Sequence, residues 1–350
     1  MIDKAEQVRT GEELDLKNLQ AYLKEYLPDF SGDLEVKQFP SGFSNLTYLL
    51  KAGQKEYVLR RPPFGANIKG GHDMSREFKV LKALDSFYGK APQPILFCED
   101  QDVIGADFYL MERVEGVILR GRLPKGIQVD EQTFKAISES TIDQLAALHL
   151  VNLKDAGLED FGKPEGYTQR QVEGWIQRYF NAKTDEVQSM EEVAEWLSEN
   201  IPEQQHVSLI HNDYKYDNLV LNPDDLSDIK AVLDWEMATI GNPLMDLGTS
   251  LAYWAETNDS DALKPFSLTW MAGNYTRAQF VERYAEKTGF DIKDQVFYYV
   301  FGAFKIGVII QQIYARYKKG LTQDPRFANL IYAVQACGAN AVRALERNRI

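Results

Sequence analysis

Apolar side chains recur along this chain with two different periods, and the change from one to the other marks its organisation. Residues 14 to 27, LDLKNLQAYLKEYL, repeat at helical spacing and stop at Pro28. Three short β-rich runs follow, LEVKQF, LTYLLKA and EYVLRRP, separated by PSGFSN and GQK. DMSREFKVLKALDSFYG then predicts a helix, with Asp73 as its N-cap and Gly89 as its stop. PILFCED and ADFYLMERV predict two further strands. The order strand, strand, strand, helix, strand, strand suits a small sheet with one helix on a face.

After Gly116 the pattern becomes mainly helical. EQTFKAISESTIDQLAALHLVNL is a long amphipathic stretch, and 168–181 and 189–200 predict two more helices. Short β-like runs, VSLI, LVL and IKAVLDWE, interrupt this lobe, and from Pro243 it is helix-rich to the end. The shift predicts an α+β chain of two lobes, a mixed β lobe over 1–114 and a helical lobe over 115–350. The most apolar stretch, VFYYVFGAFKIGVIIQQI, is broken by Lys305 and predicts a core helix rather than a membrane span.

Composition narrows the function. The chain has 350 residues, 44% hydrophobic and 26% charged, an ordinary globular balance. Its formal net charge of −13 argues against nucleic acid as a partner, since polyanion binding needs a basic footprint. Two distant cysteines, Cys98 and Cys337, lack metal-ligand spacing and suit a reducing compartment. The polar start, MIDKAEQVRTGEELD, has no apolar core of a signal peptide, so a cytoplasmic protein is expected.

Chemistry concentrates in HNDYKYDN, residues 211–218, between two apolar runs. His211, Asp213 and Asn218 satisfy H-x-D-x-x-x-x-N, the kinase catalytic-loop pattern. There an Asp receives the proton of an acceptor hydroxyl, while an Asn turns back and offers a neutral oxygen to magnesium. Lys215 is spaced to bring positive charge to a migrating phosphoryl group. Sixteen positions after Asn218, an apolar run ends in Asp234, where a second magnesium ligand belongs. In the first lobe, PSGFSN (Gly42, Ser44 and Asn45 among its residues) can aim backbone N–H groups at phosphates, though it also reads as a plain hairpin turn. Arg60 stands where kinases carry a phosphate-binding Lys, and Glu77 on the next helix would be its ion-pair partner. FYLMERVEG joins the lobes. Its Glu112 carbonyl and Val114 amide could meet an adenine, with Met111 lining the pocket behind, and an ordinary edge strand fits the same residues.

The residues SGFSNLTY, YVLRRPP, REFKVLKAL, FYLMERVEG, LAALHLVNL, LIHNDYKYDNLVL and VLDWEMATIGNPLMDLG make a recognisable set. Over about 40–250 the chain resembles the kinase-like aminoglycoside phosphotransferase family, which includes choline kinase relatives. Its wording is most similar to the kinase-like domain fused to some acyl-CoA dehydrogenases. The resemblance implies a protein-kinase-like two-lobe fold and use of ATP and Mg2+. It implies Asp213 as base, Asn218 and Asp234 as metal ligands, and Arg60 with Glu77 at the phosphates. It also implies structural roles for Asp246, His149 and His211. Where the family often has Gly, this chain has Asn212, which can also adopt φ > 0. The triplet Asp234-Trp235-Glu236 could bring Glu236 to the metal or substrate.

Only eleven positions separate Asp234 from Asp246, too few for a protein-kinase activation segment, so the expected acceptor is a hydroxyl on a small molecule. A hydroxylated metabolite or hydroxyacyl compound ranks first and an aminoglycoside second, for which 253–262 would have to supply carboxylates. A non-catalytic nucleotide-binding module is the remaining alternative.

Overall fold

The computed structural model describes residues 4–28, 30–40, 45–65 and 72–350. Five strands form one antiparallel sheet: β1 (Leu34–Gln38), β2 (Leu46–Ala52), β3 (Lys55–Arg61), β4 (Pro94–Cys98) and β5 (Phe108–Glu112), in the order β1-β2-β3-β5-β4. Arg60 of β3 faces Tyr109 of β5 in the register, which puts the arginine mid-sheet. The buried strand positions are mostly Leu, Val and Tyr, with Arg60 and Arg61 the charged exceptions in β3, and Gly53-Gln54 make the tight β2–β3 turn. Between β3 and β4 lies α2 (Met74–Leu84), capped by the Asp73 carboxylate on the Arg76 amide. It ends five residues before Gly89, because 85–88 turn back through bonds to the Leu84 carbonyl. α1 (Leu16–Tyr26) and the four-residue α3 (Gln101–Ile104), which the sequence pattern did not predict, cover the other sheet face.

The helical lobe holds α4 (Glu131–His149), α5 (Tyr167–Ala182), α6 (Gln188–Glu199), α7 (Pro243–Tyr253), α8 (Arg277–Thr288), α9 (Gln295–Lys318) and α10 (Leu330–Arg347). Two small antiparallel ribbons lie at the lobe junction. One pairs β6 (Ser208–Ile210) with β9 (Thr239–Gly241), the other β7 (Leu219–Leu221) with β8 (Ile229–Val232). β9 was not foreseen; three residues carry too little period-2 pattern. α9 is long and apolar enough to cross a membrane by length and composition, but 78% of its apolar window is buried against α5, α6, α7 and α10.

The α7–α9 crossing is very close. A Cβ on Gly302 would lie 2.0 Å from the Gly248 carbonyl oxygen, and one on Gly248 would lie 2.0 Å from that of Tyr298. Two glycines therefore let the backbones touch, and α7 delivers Asp246 to the loop above it.

Candidate active site

The segment 211–218 leaves β6 as a loop and returns through a 3-10 turn into β7. Asn212 sits at φ 67°, the left-handed conformation that Asn tolerates. The buried Asp246 carboxylate accepts from the His211 amide (2.7 Å) and the Asn212 amide (2.8 Å). It also lies 3.2 Å from His149 Nε2, whose Nδ1 meets the Tyr284 hydroxyl at 2.6 Å. Burial pushes the Asp246 carboxyl up, and His149, His211 and the loop amides more than reverse it, leaving it below the usual carboxylate value. His211 spans the loop: Nε2 reaches the Leu233 carbonyl at 2.9 Å and Nδ1 accepts from the Asp213 amide at 3.2 Å. His149, His211 and Asp246 are thus buried scaffold, as the resemblance implied.

Asp213 and Asn218 meet. The Asn218 amide nitrogen donates to the Asp213 carbonyl (2.8 Å) and carboxylate (3.0 Å), which leaves its own carbonyl oxygen available to a cation. Lys215 lies on Asp213 itself, 2.8 Å from Oδ2, and over the Tyr253 ring at 4.5 Å. Burial pulls its ammonium down, but Tyr253 and Asp213 outweigh that and raise it above the ordinary lysine value.

Arg60 is the hub of the upper wall. Its guanidinium bonds Glu77 at 2.6 Å, Asp234 at 3.0 Å and Glu236 at 3.3 Å. Burial opposes its charge, and Glu77, with the other acids behind, holds it protonated. Burial raises the Glu77 carboxyl against the pull of Arg60. Burial likewise raises Asp234, but Arg60 wins there and the net shift is downward. Asp234 stands at φ 68°, a turn that swings its carboxylate back to the cleft. The Asn45 side chain is itself engaged. It donates to Glu236 at 2.8 Å, and its oxygen meets His72 Nδ1 at 2.9 Å. Gly42 and Ser44 lie outside the described residues.

Arg60, Asp213, Lys215, Asn218 and Asp234 line one cleft of about 340 Å³ between sheet and helices, with Glu77 buried behind Arg60. The cleft's apolar lining is Val58, Met111, Ile118, Val220 and Leu233, with Glu112 and Val114 of the connecting segment beside them. Its polar lining includes Arg60, Asp213, Lys215, Asn218 and Asp234. Sequence reasoning missed Asp217, Arg120 and Arg113, which also line it. Burial lifts the Asp217 carboxyl to about 6 against Lys215 and Arg120. It also missed that Asp259, in the 253–262 stretch, is buried in an ion pair with Arg277 and so is not offered to a ligand. Trp254 packs in the core against Tyr216 and Phe280.

Among the described residues no three His, Cys, Asp or Glu side chains gather into a metal cage. The donors at hand are oxygens of Asn218, Asp234 and, beside them, Glu236. A small hard cation that keeps waters and phosphate oxygens in its shell fits such a partial set.

The sequence pattern of the phosphotransferase enzyme family matches residues 35–281. Human acyl-CoA dehydrogenase family member 11 is 34% identical over 334 residues, 93% of this chain and 42% of that protein, so this chain spans less than half the length of such relatives. A "putative aminoglycoside phosphotransferase" of Ralstonia eutropha JMP134 is 31% identical, with 95% of this chain and 99% of that one covered and a TM-score of 0.80. Choline kinase from Cryptosporidium parvum is 13% identical with a TM-score of 0.65, covering 95% of this chain and 96% of that one, and shares the kinase-like fold.

Proposed function

This chain belongs to the phosphotransferase enzyme family, and on that footing we propose that it transfers the γ-phosphoryl group of ATP, with magnesium, to a hydroxyl of a small molecule. The observation that carries the proposal is the convergence of Arg60, Asp213, Asn218 and Asp234 on one cleft. The apolar slot behind them would take the adenine against the 112–114 backbone, and Arg60, fixed by Glu77, would hold the α- and β-phosphates. Asn218 and Asp234 would hold magnesium, which supplies neutralisation of phosphate charge. Asp213 would accept the proton of the acceptor hydroxyl as its oxygen bonds to the γ-phosphorus and the bond to the β-bridging oxygen breaks, releasing ADP. Lys215, paired with Asp213, lines the same cleft and would offset the charge of the transferring group.

A hydroxylated metabolite or hydroxyacyl compound is the acceptor we favour. The name of the human relative points to acyl chemistry, and the commitment of Asp259 to Arg277 takes one carboxylate from the stretch that a polycation would need. An aminoglycoside comes second; solved structures of this fold are named as complexes with kanamycin and hygromycin B. A non-catalytic nucleotide-binding module comes third, weighed down by the intact Asp213, Asn218 and Asp234.

A mass-shift screen of pooled hydroxylated metabolites, hydroxyacyl-CoAs and aminoglycosides with ATP identifies the acceptor. Asp213→Ala should then lower transfer by about 100-fold or more with the nucleotide still bound. Near wild-type transfer in that variant sinks the assignment.

A further inference from the structure

We infer that Lys305 is a positioning residue of the catalytic loop: its ammonium and the Asp246 carboxylate form a two-jawed clamp that fixes the peptide groups on either side of Asn212 and so aims Asp213. This rests on the reading of Asp213 as proton acceptor.

Lys305 lies in the middle of α9, 2% exposed, where a lysine is costly unless it is partnered. Its Nζ donates to the Asn212 carbonyl oxygen at 2.9 Å. On the other side, Asp246 accepts from the Asn212 amide at 2.8 Å and from the His211 amide at 2.7 Å. An anion therefore faces the N–H ends and a cation faces the C=O end. The arrangement matches the peptide dipoles and opposes a flip. Asn212 needs such help, because φ 67° is an uncommon conformation for a residue with a Cβ. Its side chain is gripped too, accepting from the Tyr167 hydroxyl at 3.2 Å and donating to the Met237 carbonyl at 3.0 Å. The clamped carbonyl belongs to the peptide whose N–H is that of Asp213, so a rotation there swings the Asp213 carboxylate directly.

The charged groups facing the ammonium are Asp246 of α7, Asp213 and Lys215 of the loop, and Arg178 of α5. α6 and α10 meet α9 at Gly307 through Met190 and Cys337, which carry no charge there. Lys305 also lies 5.7 Å from the Trp175 ring centroid.

The test compares Lys305→Met, which removes the donor, with Lys305→Gln, which keeps a neutral one. Two properties are measured: hydrogen exchange of the peptide covering 209–216, and ATP hydrolysis to water with magnesium. Lys305→Met should speed loop exchange and lower kcat by about 10- to 100-fold, with KM for ATP within about twofold. Lys305→Gln should recover most of both. Asp213→Asn, the calibrating variant, should lose kcat with loop exchange unchanged. Wild-type exchange and kcat in Lys305→Met, or a Gln variant no better than Met, overturns the inference. So does a loss of kcat matched by an equal rise in KM. If only the Gln variant folds, exchange and kcat must move together, and one changing without the other overturns it. Should wild type hydrolyse no ATP, loop exchange alone decides the clamp, and the missing hydrolysis counts against the reading of Asp213.

Discussion

At the scale of single residues, the site is built from charges that cannot be removed one at a time. Arg60 is almost fully buried and holds Glu77, itself 2% exposed, together with Asp234 and Glu236. Arg60→Met leaves the buried Glu77 carboxylate facing the part-buried Asp234 and Glu236 without the arginine between them. It should destabilise the protein by about 3 kcal/mol or more in urea unfolding and raise KM for ATP. A variant with both properties unchanged would show that Arg60 is neither anchor nor phosphate ligand. Lys305 gives a pH prediction with an unusual sign. Burial lowers its ammonium to about 8 from 10.5, with Asp246 and Asp213 pulling the other way. Between those values the unfolded chain binds more protons than the folded one, so this group adds stability as pH rises from about 8 to 10. Below that window it costs most. Wild type should therefore gain on Lys305→Gln in melting temperature over that range, and parallel curves would exclude the lowered proton affinity of this ammonium.

Much of this was legible residue by residue. Asp213, Asn218 and Asp234 stand out because the kinase catalytic-loop pattern carries those side chains at those spacings, and the structure brings all three to one cleft; Asn212 stands out because only a few residues accept its φ. Lys305 and Tyr167 were not legible as loop partners. Each sits in a helix far along the chain, and an isolated polar residue in an apolar helix does not say which distant carbonyl it meets. The Asn45–Glu236 bond was hidden for the same reason, since the partners are 191 residues apart in sequence.

At the scale of elements, helical and strand periods located the long elements up to residue 242 and the apolar α9, left α7, α8 and α10 as one helix-rich stretch, and lost three- and four-residue pieces such as β9 and α3. The glycines of α7 and α9 were invisible as a pair, since a helical glycine looks like a weak helix former until the facing backbone is known. Their contact explains the tolerance: each lacks a Cβ where a Cβ would fall 2.0 Å from a carbonyl oxygen. Gly302→Ala should push α7 away from α9. Because the obstacle is backbone rather than a flexible side chain, the cost should reach the upper end of overpacking, about 3 kcal/mol. The shift also moves Asp246, so kcat should fall in the fraction that still folds. Calorimetry and steady-state kinetics on the same sample check both, and an unchanged melting temperature would refute the close crossing.

At the scale of the molecule, the two lobes are joined by more than the 112–116 segment. Val80, Leu81 and Leu84 of α2 belong to the same packed core as α4, α7 and α9, whereas α1 and the outer sheet face form a separate cluster. Arg76 of α2 adds a polar pin. Its guanidinium donates to the Phe161 carbonyl at 2.8 Å and the Thr239 hydroxyl at 3.1 Å, and stacks on the Phe161 ring at 3.9 Å. Glu77 is the next residue, so the pin that docks α2 also fixes the partner of Arg60. Such an arrangement has no free hinge for α2, and unfolding should be a single event. All five tryptophans lie beyond residue 170, so their fluorescence reports the helical lobe and, through Trp235 against the Tyr88 ring at 6.0 Å, its contact with the first lobe, while far-UV circular dichroism reports both lobes. The two signals should trace one coincident urea transition in wild type. In Arg76→Ala, α2 keeps its apolar contacts but loses the pin, and the dichroism should begin to fall before the fluorescence. At the same time KM for ATP should rise, because Glu77 no longer holds Arg60 in place. Separated transitions in wild type, or coincident ones with unchanged KM in the variant, would mean that the lobes are coupled by the connecting segment and not through α2.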